Sequence, residues 1–178
     1  MFHVTERLLL RPAWPEDAGA ILSAIGEETI VRNLARAPWP YGYADAEEFA
    51  SMKQDMRIPH FLVELPGAGV IGSAGFGKQA GEVEIGYWIA RAWWGRGFAT
   101  EAARALVDLA RFLGYERLVA GHFTDNPASG RVLCKAGFQR TGVVARRFSR
   151  ARGGEADCVE YALDLAEEDL RIELKCAA

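Results

Sequence analysis

The stretch Glu84-Ile85-Gly86-Tyr87-Trp88-Ile89-Ala90, continued by Arg91 to Trp94 and then Gly95-Arg96-Gly97-Phe98-Ala99-Thr100-Glu101-Ala102, decides how this chain is read. A strand delivers the backbone to a turn holding two glycines and an arginine, and the turn leads straight into a helix. Glycine lets the main chain approach a ligand closely. The first turn of a helix offers unpaired N–H groups and a partial positive charge. Together they make an anion site for which a pyrophosphate is a natural occupant. Arg96, in the middle of the turn, adds a mobile cation. A glycine turn that only caps a helix is the plain alternative. Two other phosphate-binding readings fail on detail. A Walker A loop needs Gly-Lys-Ser/Thr after four spacers, which is absent here. A dinucleotide fingerprint needs a third small residue where Thr100 stands, an acid after the next strand, where Asp125 is loosely placed, and several βα units where the chain offers one.

Outward from this segment, the upstream strands His60 to Leu65 and Val70 to Gly77 are joined to each other and to Glu82–Ala90 by Pro66-Gly67-Ala68-Gly69 and Lys78-Gln79-Ala80-Gly81. Links this short join antiparallel neighbours, because a parallel crossover needs a dozen or more residues. Downstream, a long helix from about Ala99 to Leu113 carries Ala103, Leu106, Val107, Ala110 and Leu113 on one face. The strand Arg117 to Phe123 follows and completes the one parallel crossover unit. A short helix, Pro127 to Ala136, stops at Gly137, and strands near Phe138 to Val144 and Asp157 to Leu163 close the sheet. Toward the N-terminus, Leu8 to Leu10 reads as a first strand, Trp14-Pro15-Glu16-Asp17 opens a helix, and Asp45 caps a second helix through about Met56. The expected fold is a mixed α/β (α+β) arrangement. Its sheet of about six to seven strands is mostly antiparallel, has one parallel central pair, and carries helices on both faces.

The 178 residues are read as one domain, with a core from about 5 to 165 and a charged C-terminal helix over 166–175. A net charge of -3 argues against nucleic-acid and anionic-membrane partners, which require a basic face. The local cluster Arg140, Arg146, Arg147, Arg150 and Arg152 reads as a solvated edge or an anion contact. Cys134, Cys158 and Cys176 show no CxxC spacing, and the first eleven residues do not form a secretory signal. Reduced thiols and a cytoplasmic location are the expectation. No apolar run approaches the ~18 residues that a membrane-spanning helix needs.

Three motifs in order carry a family resemblance: Glu84 to Trp88; Trp94 to Ala102; and Asn126, Ser129, Lys135, Gly137 and Phe138. With Thr5-Glu6-Arg7-Leu8-x-Leu10-Arg11 ahead of them, they resemble the GNAT acetyltransferase superfamily, and most closely its branch of ribosomal-protein N-terminal (alanine/serine) acetyltransferases. The resemblance implies a GNAT-like fold whose parallel pair is splayed at the cofactor site, and acetyl-CoA as cosubstrate with no metal. It implies that the backbone of Trp88, Ile89 and Ala90 pairs with the pantetheine arm. The turn of Gly95, Arg96, Gly97, Ala99 and Thr100 would then cradle the pyrophosphate, with Asn126 as a further cofactor contact. Asn126 also fits a helix N-cap. Trp94 departs from the Gln or Arg with which this turn often begins.

Transfer of an acetyl group to an amine needs a base for the ammonium, donors for the carbonyl oxygen and an acid for the departing thiolate. No enzyme nucleophile is needed, and Cys134, beside Leu133, reads as a core residue. Many family members place a tyrosine seven residues beyond the asparagine; Leu133 stands there in this chain. Ser129 is the substitute acid that the branch implies, although its hydroxyl could equally contact only the helix backbone. Glu84 is the first candidate for the base, with Glu82 and His122 as alternatives and a salt-bridged strand glutamate as the plain reading.

The acceptor groove is expected between the first two helices, the Ala37 to Tyr43 loop and the Val143 to Gly153 connection, near Trp14, Trp39, Tyr41, Tyr43 and Phe148. The branch resemblance implies a protein or peptide N-terminal amine as acceptor, and a homodimer would be in keeping with it. A small-molecule amine, a non-catalytic acetyl-CoA-binding sensor and a nucleotide-binding protein are the rival readings.

Overall fold

A computed structural model of the chain describes residues 1–166. The short links behave as their length requires. Ala80 and Gly81 both have positive φ (49° and 88°), the geometry of a two-residue hairpin turn, and they join β4 (Gly69–Gln79) to β5 (Glu82–Ile89). β3 (His60–Leu65) pairs antiparallel with β4 and with β2 (Leu9–Arg11), and β1 (His3–Val4) adds an edge. β6 (Arg117–Phe123), β7 (Gln139–Ser149) and β8 (Gly154–Asp164) form the other half, giving one eight-stranded sheet in the order β1-β2-β3-β4-β5-β6-β8-β7.

The mixed, mostly antiparallel sheet is therefore as expected, with eight strands rather than six or seven. β1 is too short to leave a periodic signal. β7 also runs on to Ser149, so most of Val143–Gly153 is strand, and only 150–153 turn. Gln139 to Val144 are exposed on both faces, which removes the hydrophobic alternation that marks a strand.

The parallel contact is confined to one register pair, Glu84 with Val119. Beyond it β5 and β6 diverge, because β6 stays paired with β8 along its whole length while β5 stays paired with β4. This divergence opens the centre of the sheet.

Helices cover both faces. α4 (Phe98–Phe112) buries Ala102, Ala103, Leu106, Leu109 and Ala110, small residues that let it lie close on the sheet. α5 (Pro127–Lys135) joins α4 through Leu133, and both pack on Leu10, Phe61, Phe76, Ile85 and Leu118. On the opposite face α1 (Ala18–Ile25), α2 (Glu28–Val31) and α3 (Tyr43–Ala50) build a second core with Leu62. Fully burying a leucine such as Leu106 contributes ~1.5–3 kcal/mol, so these two layers supply the main stabilisation.

The second long helix differs in extent from expectation. α3 ends at Ala50, and Asp45 lies inside its first turn, where the carboxylate accepts the Gly42 N–H at 2.8 Å. The C-terminal helix expected over 166–175 lies, beyond its first residue, outside the described residues.

Candidate active site

Where β5 and β6 part, a cleft of about 470 Å³ runs through the sheet. Gly95, Gly97, Phe98, Ala99 and Thr100 line one mouth, and Asn33, Leu34, Ala35, Glu84 and Arg147 line the other. Tyr87, Trp88, Ile89, His122, Asn126 and Ser129 lie between.

The first mouth is built by glycine. Gly95 and Gly97 have φ of 75° and 85°, left-handed values that side chains resist. They turn the chain so that Phe98 starts α4, whose first amides have no helical partner. A latch from the N-terminus holds this turn from behind. The Glu101 carboxylate accepts hydrogen bonds from Thr5 Oγ1 (2.6 Å), the Arg7 N–H (2.8 Å) and Arg7 Nε (2.7 Å). Arg7 also donates to the Arg96 carbonyl and stacks on the Phe98 ring. Two segments that looked separate in the sequence, Thr5–Arg7 and Ala99–Ala102, thus form one device. Burial alone would raise the Glu101 carboxyl, but Thr5 and Arg7 hold it below its ordinary range.

Along the splayed edge, the Ala90 N–H bonds the Ile71 carbonyl at 2.8 Å. Even-numbered residues of β5 therefore spend their main-chain groups on β4, and odd-numbered Tyr87 and Ile89 turn theirs to the gap. Of Trp88, Ile89 and Ala90, then, only Ile89 offers its backbone to a bound arm, and its carbonyl already accepts the Trp94 indole N–H at 2.6 Å. Arg96 lies outside the cleft lining, with its guanidinium over the Trp93 ring.

Asn126 precedes α5 without a side-chain cap, and its carbonyl accepts the Ser129 N–H. The Ser129 hydroxyl lies 3.0 Å from the Tyr87 hydroxyl, which also reaches the Ser129 carbonyl at 3.2 Å. Burial pushes the Tyr87 phenol well above its usual range, partly offset by Ser129. Leu133 is fully buried beside them and has nothing to donate. Cys134, expected in the core, is exposed, because α5 buries Gly130 and Leu133 instead.

The candidate bases separate clearly. Glu84 lines the cleft and is gripped by Arg147, Nη1 to Oε1 at 2.5 Å and Nη2 to Oε2 at 2.7 Å. Burial pulls the guanidinium pKa down, but the Glu84 contacts outweigh it and the net shift is upward. Glu82 is exposed and pairs with Arg117 outside the cleft. His122 is buried; its Nδ1 donates to the Phe123 carbonyl at 2.8 Å, and its Nε2 lies 3.3 Å from the Tyr161 hydroxyl.

Sequence reasoning placed Arg147 in a basic edge cluster, and nothing in a linear reading ties it to Glu84, 63 positions away. The rest of that cluster is dispersed, with Arg146 on Asp157, Arg152 on Asp125 and Arg140 on the Tyr161 hydroxyl. Trp14, Trp39, Tyr41, Tyr43 and Phe148 do not line the cleft. The second mouth is walled by Asn33–Ala35 instead, which the β7–β8 turn pins through Ser149 Oγ to Leu34 O, Arg150 N to Ala35 O and Arg152 Nε to Arg32 O. α2, which carries this wall, is too short for a periodic signal. Among the described residues, no three His, Cys, Asp or Glu side chains converge as metal ligands, and no helix is long and apolar enough to cross a membrane.

Residues 7–139 match the family described as Acetyltransferase (GNAT) domain. The chain belongs to the GNAT acetyltransferase family. Over 174 residues this GNAT protein is 31% identical to the uncharacterized N-acetyltransferase YoaA of Bacillus subtilis, covering 89% of this chain and 94% of that one. A GNAT acetyltransferase structure from Bacillus anthracis superposes with a TM-score of 0.80 at 25% identity, covering 93% of this chain and 99% of the other. Mycobacterium smegmatis RimJ in complex with CoA-disulfide shares the fold, with a TM-score of 0.74 at 22% identity over 90% of this chain and 83% of its own. This GNAT chain is accordingly an acetyl-CoA-dependent N-acetyltransferase acting on an amine.

Proposed function

We propose that the acceptor is the α-amine of a protein or peptide N-terminus, and that the amine attacks the thioester directly across the splayed strands. The observation that carries this reading is the through-sheet cleft, with a left-handed glycine turn at one mouth and a carboxylate, Glu84, at the other. In this reading the N–H groups of Gly97–Thr100 hold the diphosphate of acetyl-CoA, the anion that a helix N-terminus favours. Gly95 permits the approach, and the pantetheine arm runs along Ile89 toward Ser129, past Asn126. Trp88 backs the arm from the opposite face, and Ala90 and Arg96 shape the turn without touching the ligand. The resemblance of the motifs Glu84 to Trp88, Trp94 to Ala102 and Asn126 to Phe138 to the ribosomal-protein N-terminal acetyltransferase branch supports an N-terminal amine as acceptor.

Glu84 then receives a proton from the ammonium, directly or through one water, so that a neutral amine meets the carbonyl carbon. Arg147 holds both oxygens of the carboxylate at the edge of the cleft. The Ile89 N–H faces the gap and steadies the carbonyl oxygen as it gains charge. When the tetrahedral intermediate collapses, the carbon–sulfur bond breaks and the sulfur takes a proton through the Ser129 hydroxyl, which Tyr87 positions and which is resupplied by the second proton leaving the nitrogen. Two protons leave the nitrogen and one arrives at sulfur, so the reaction releases one proton overall.

The test is release of free thiol from acetyl-CoA with a panel of amines: peptides with differing first residues, the same peptides blocked at the α-amine, polyamines and aminoglycosides. Acetylation of the free peptide N-termini alone is expected. Turnover of the small amines with none of the peptides would overturn the acceptor assignment.

A further inference from the structure

Gly86 is a glycine that the fold does not ask for. It lies in the middle of β5, where glycine weakens a strand because it brings no side chain to pack and loses more backbone freedom than other residues. Its φ lies outside the left-handed region that favours glycine, and a Cβ added to it would meet no atom within 4 Å. Gly75, opposite it on β4, is different. A Cβ there would stand 2.9 Å from the His60 Cα, so the packing of the strands themselves excludes a side chain.

The place of Gly86 supplies the reason that the fold does not. Gly86 is exposed and lines the cleft. Side chains alternate along a strand, so it shares a face with Glu84 and Trp88, each about 7 Å away along β5. Trp88 and Leu34 pack on the same core of α1, α2 and α3, which makes this the face of the mouth walled by Asn33–Ala35. Tyr87 and Ile89 look the other way, toward the core that α4 and α5 complete. The main-chain groups of Gly86 are spent on β4, opposite Gly75. What it offers the cleft is therefore bare backbone, a floor between a carboxylate and an indole ring. Glycine inside a strand marks the close approach of a ligand or of another backbone, and no described residue of this chain occupies the space above it. We infer that Gly86 is a specificity-determining residue for the acceptor: the residue that carries the attacking amine lies on it, between Glu84 and Trp88, and the missing side chain sets how large that residue can be. This rests on the reading that the amine enters by the Glu84 mouth. Acetyl-CoA, in the same reading, meets Ile89 and the Gly95–Thr100 turn and leaves Gly86 untouched.

Steady-state kinetics of Gly86→Ala and Gly86→Val test this, with peptides whose first residue grows from glycine through alanine to valine. The urea midpoint should hold or rise, and KM for acetyl-CoA should stay within about twofold of the native value. The acceptor KM should rise about threefold in Gly86→Ala and about tenfold or more in Gly86→Val, the scale of overfilling a closely fitted space. The rise should be largest for the peptides with the largest first residue. An unchanged acceptor KM in Gly86→Val would overturn the inference. So would a loss equal for every first residue, or one matched by a loss of acetyl-CoA affinity, because either is what a merely structural role produces. If the native protein acetylates small amines and no peptide, the acceptor assignment falls instead. The same variants assayed with those amines then decide the role of Gly86, a raised acceptor KM upholding it and an unchanged one removing it.

Discussion

Glu84 and Arg147 face each other across the opening in the sheet, both guanidinium Nη atoms on one carboxylate, at 2.5 and 2.7 Å. The pair joins β5 to β7, strands separated in the sheet by β6 and β8. Its side chains are largely buried, with 17% and 20% exposed. A paired carboxylate in a cleft is both a structural tie and a proton acceptor, and the two roles respond differently to substitution. Glu84→Gln keeps the shape and removes the base, so kcat should fall by about 10²-fold or more while acetyl-CoA affinity changes little. Arg147→Ala leaves a half-buried carboxylate unpaired and should cost about 1–3 kcal/mol of stability as well as activity. Steady-state kinetics and urea unfolding read the two effects apart. Full turnover in Glu84→Gln would take this residue out of the mechanism.

Ser129 and Tyr87 form the second pair at the centre of the cleft. Ser129→Ala should lower kcat about 10- to 100-fold by removing the proton donor to sulfur. Tyr87→Phe keeps that donor but frees its orientation, so a smaller loss is expected. Single-turnover measurements with a fixed peptide acceptor would rank them; an inert Ser129→Ala would assign thiolate protonation to solvent.

At the phosphate turn, the φ of 85° at Gly97 makes any side chain costly, and an added Cβ would stand 3.4 Å from Arg7 Nη2. Gly97→Ala should lose about 1 kcal/mol of stability and weaken acetyl-CoA binding by about tenfold or more through displaced amides. Arg7→Ala keeps the glycines and loosens only the latch. Its KM for acetyl-CoA should rise about fivefold with kcat largely retained, because the change lies far from Ser129 and Glu84.

Gly130 is held to its size by the site itself. A Cβ there would meet His122 Nε2 at 2.6 Å and the Tyr161 hydroxyl at 2.8 Å. Both neighbours are buried and hydrogen-bonded, so neither can withdraw cheaply. Gly130→Ala should destabilise the protein by about 1–3 kcal/mol, read as a lowered urea midpoint with unchanged m-value.

Three carboxylates give stability a definite acid dependence. Hydrogen bonds from Arg11 hold Asp17 below its ordinary range, those from Arg152 do the same for Asp125, and Glu101 is lowered by Thr5 and Arg7 against the effect of burial. Each binds protons more readily when unfolded. Their stabilisation is therefore complete above the unfolded carboxylate values, about 4, and is lost as pH falls through the lower folded values. Asp17→Asn should cost about 2–4 kcal/mol at neutral pH, since it breaks a nearly buried bidentate pair. That difference should shrink as the pH of urea unfolding is lowered from 6 toward 3, roughly the span of the titration.

The sequence alone was enough for the features that depend on neighbours along the chain. Two glycines before an apolar, alanine-rich helix specify the turn and α4, because left-handed φ and helical periodicity are local properties. Four-residue links specify antiparallel pairing, because nothing longer is there to cross over. The order of these elements, with one parallel unit in the middle, carried the family and with it the glycine turn, Glu84 and Ser129 as candidates. Tertiary structure alone decided who partners whom. Arg147 meets Glu84, Arg7 meets Glu101, and Tyr87 meets Ser129 over separations of 63, 94 and 42 residues. Hydrogen bonds and ion pairs act over a few ångströms of space and leave no periodicity in the chain. It likewise took the folded sheet to show which main-chain groups of β5 face the gap, since that depends on the register with β4, and that the far mouth is walled by Asn33–Ala35 and not by the aromatic side chains nearby in sequence.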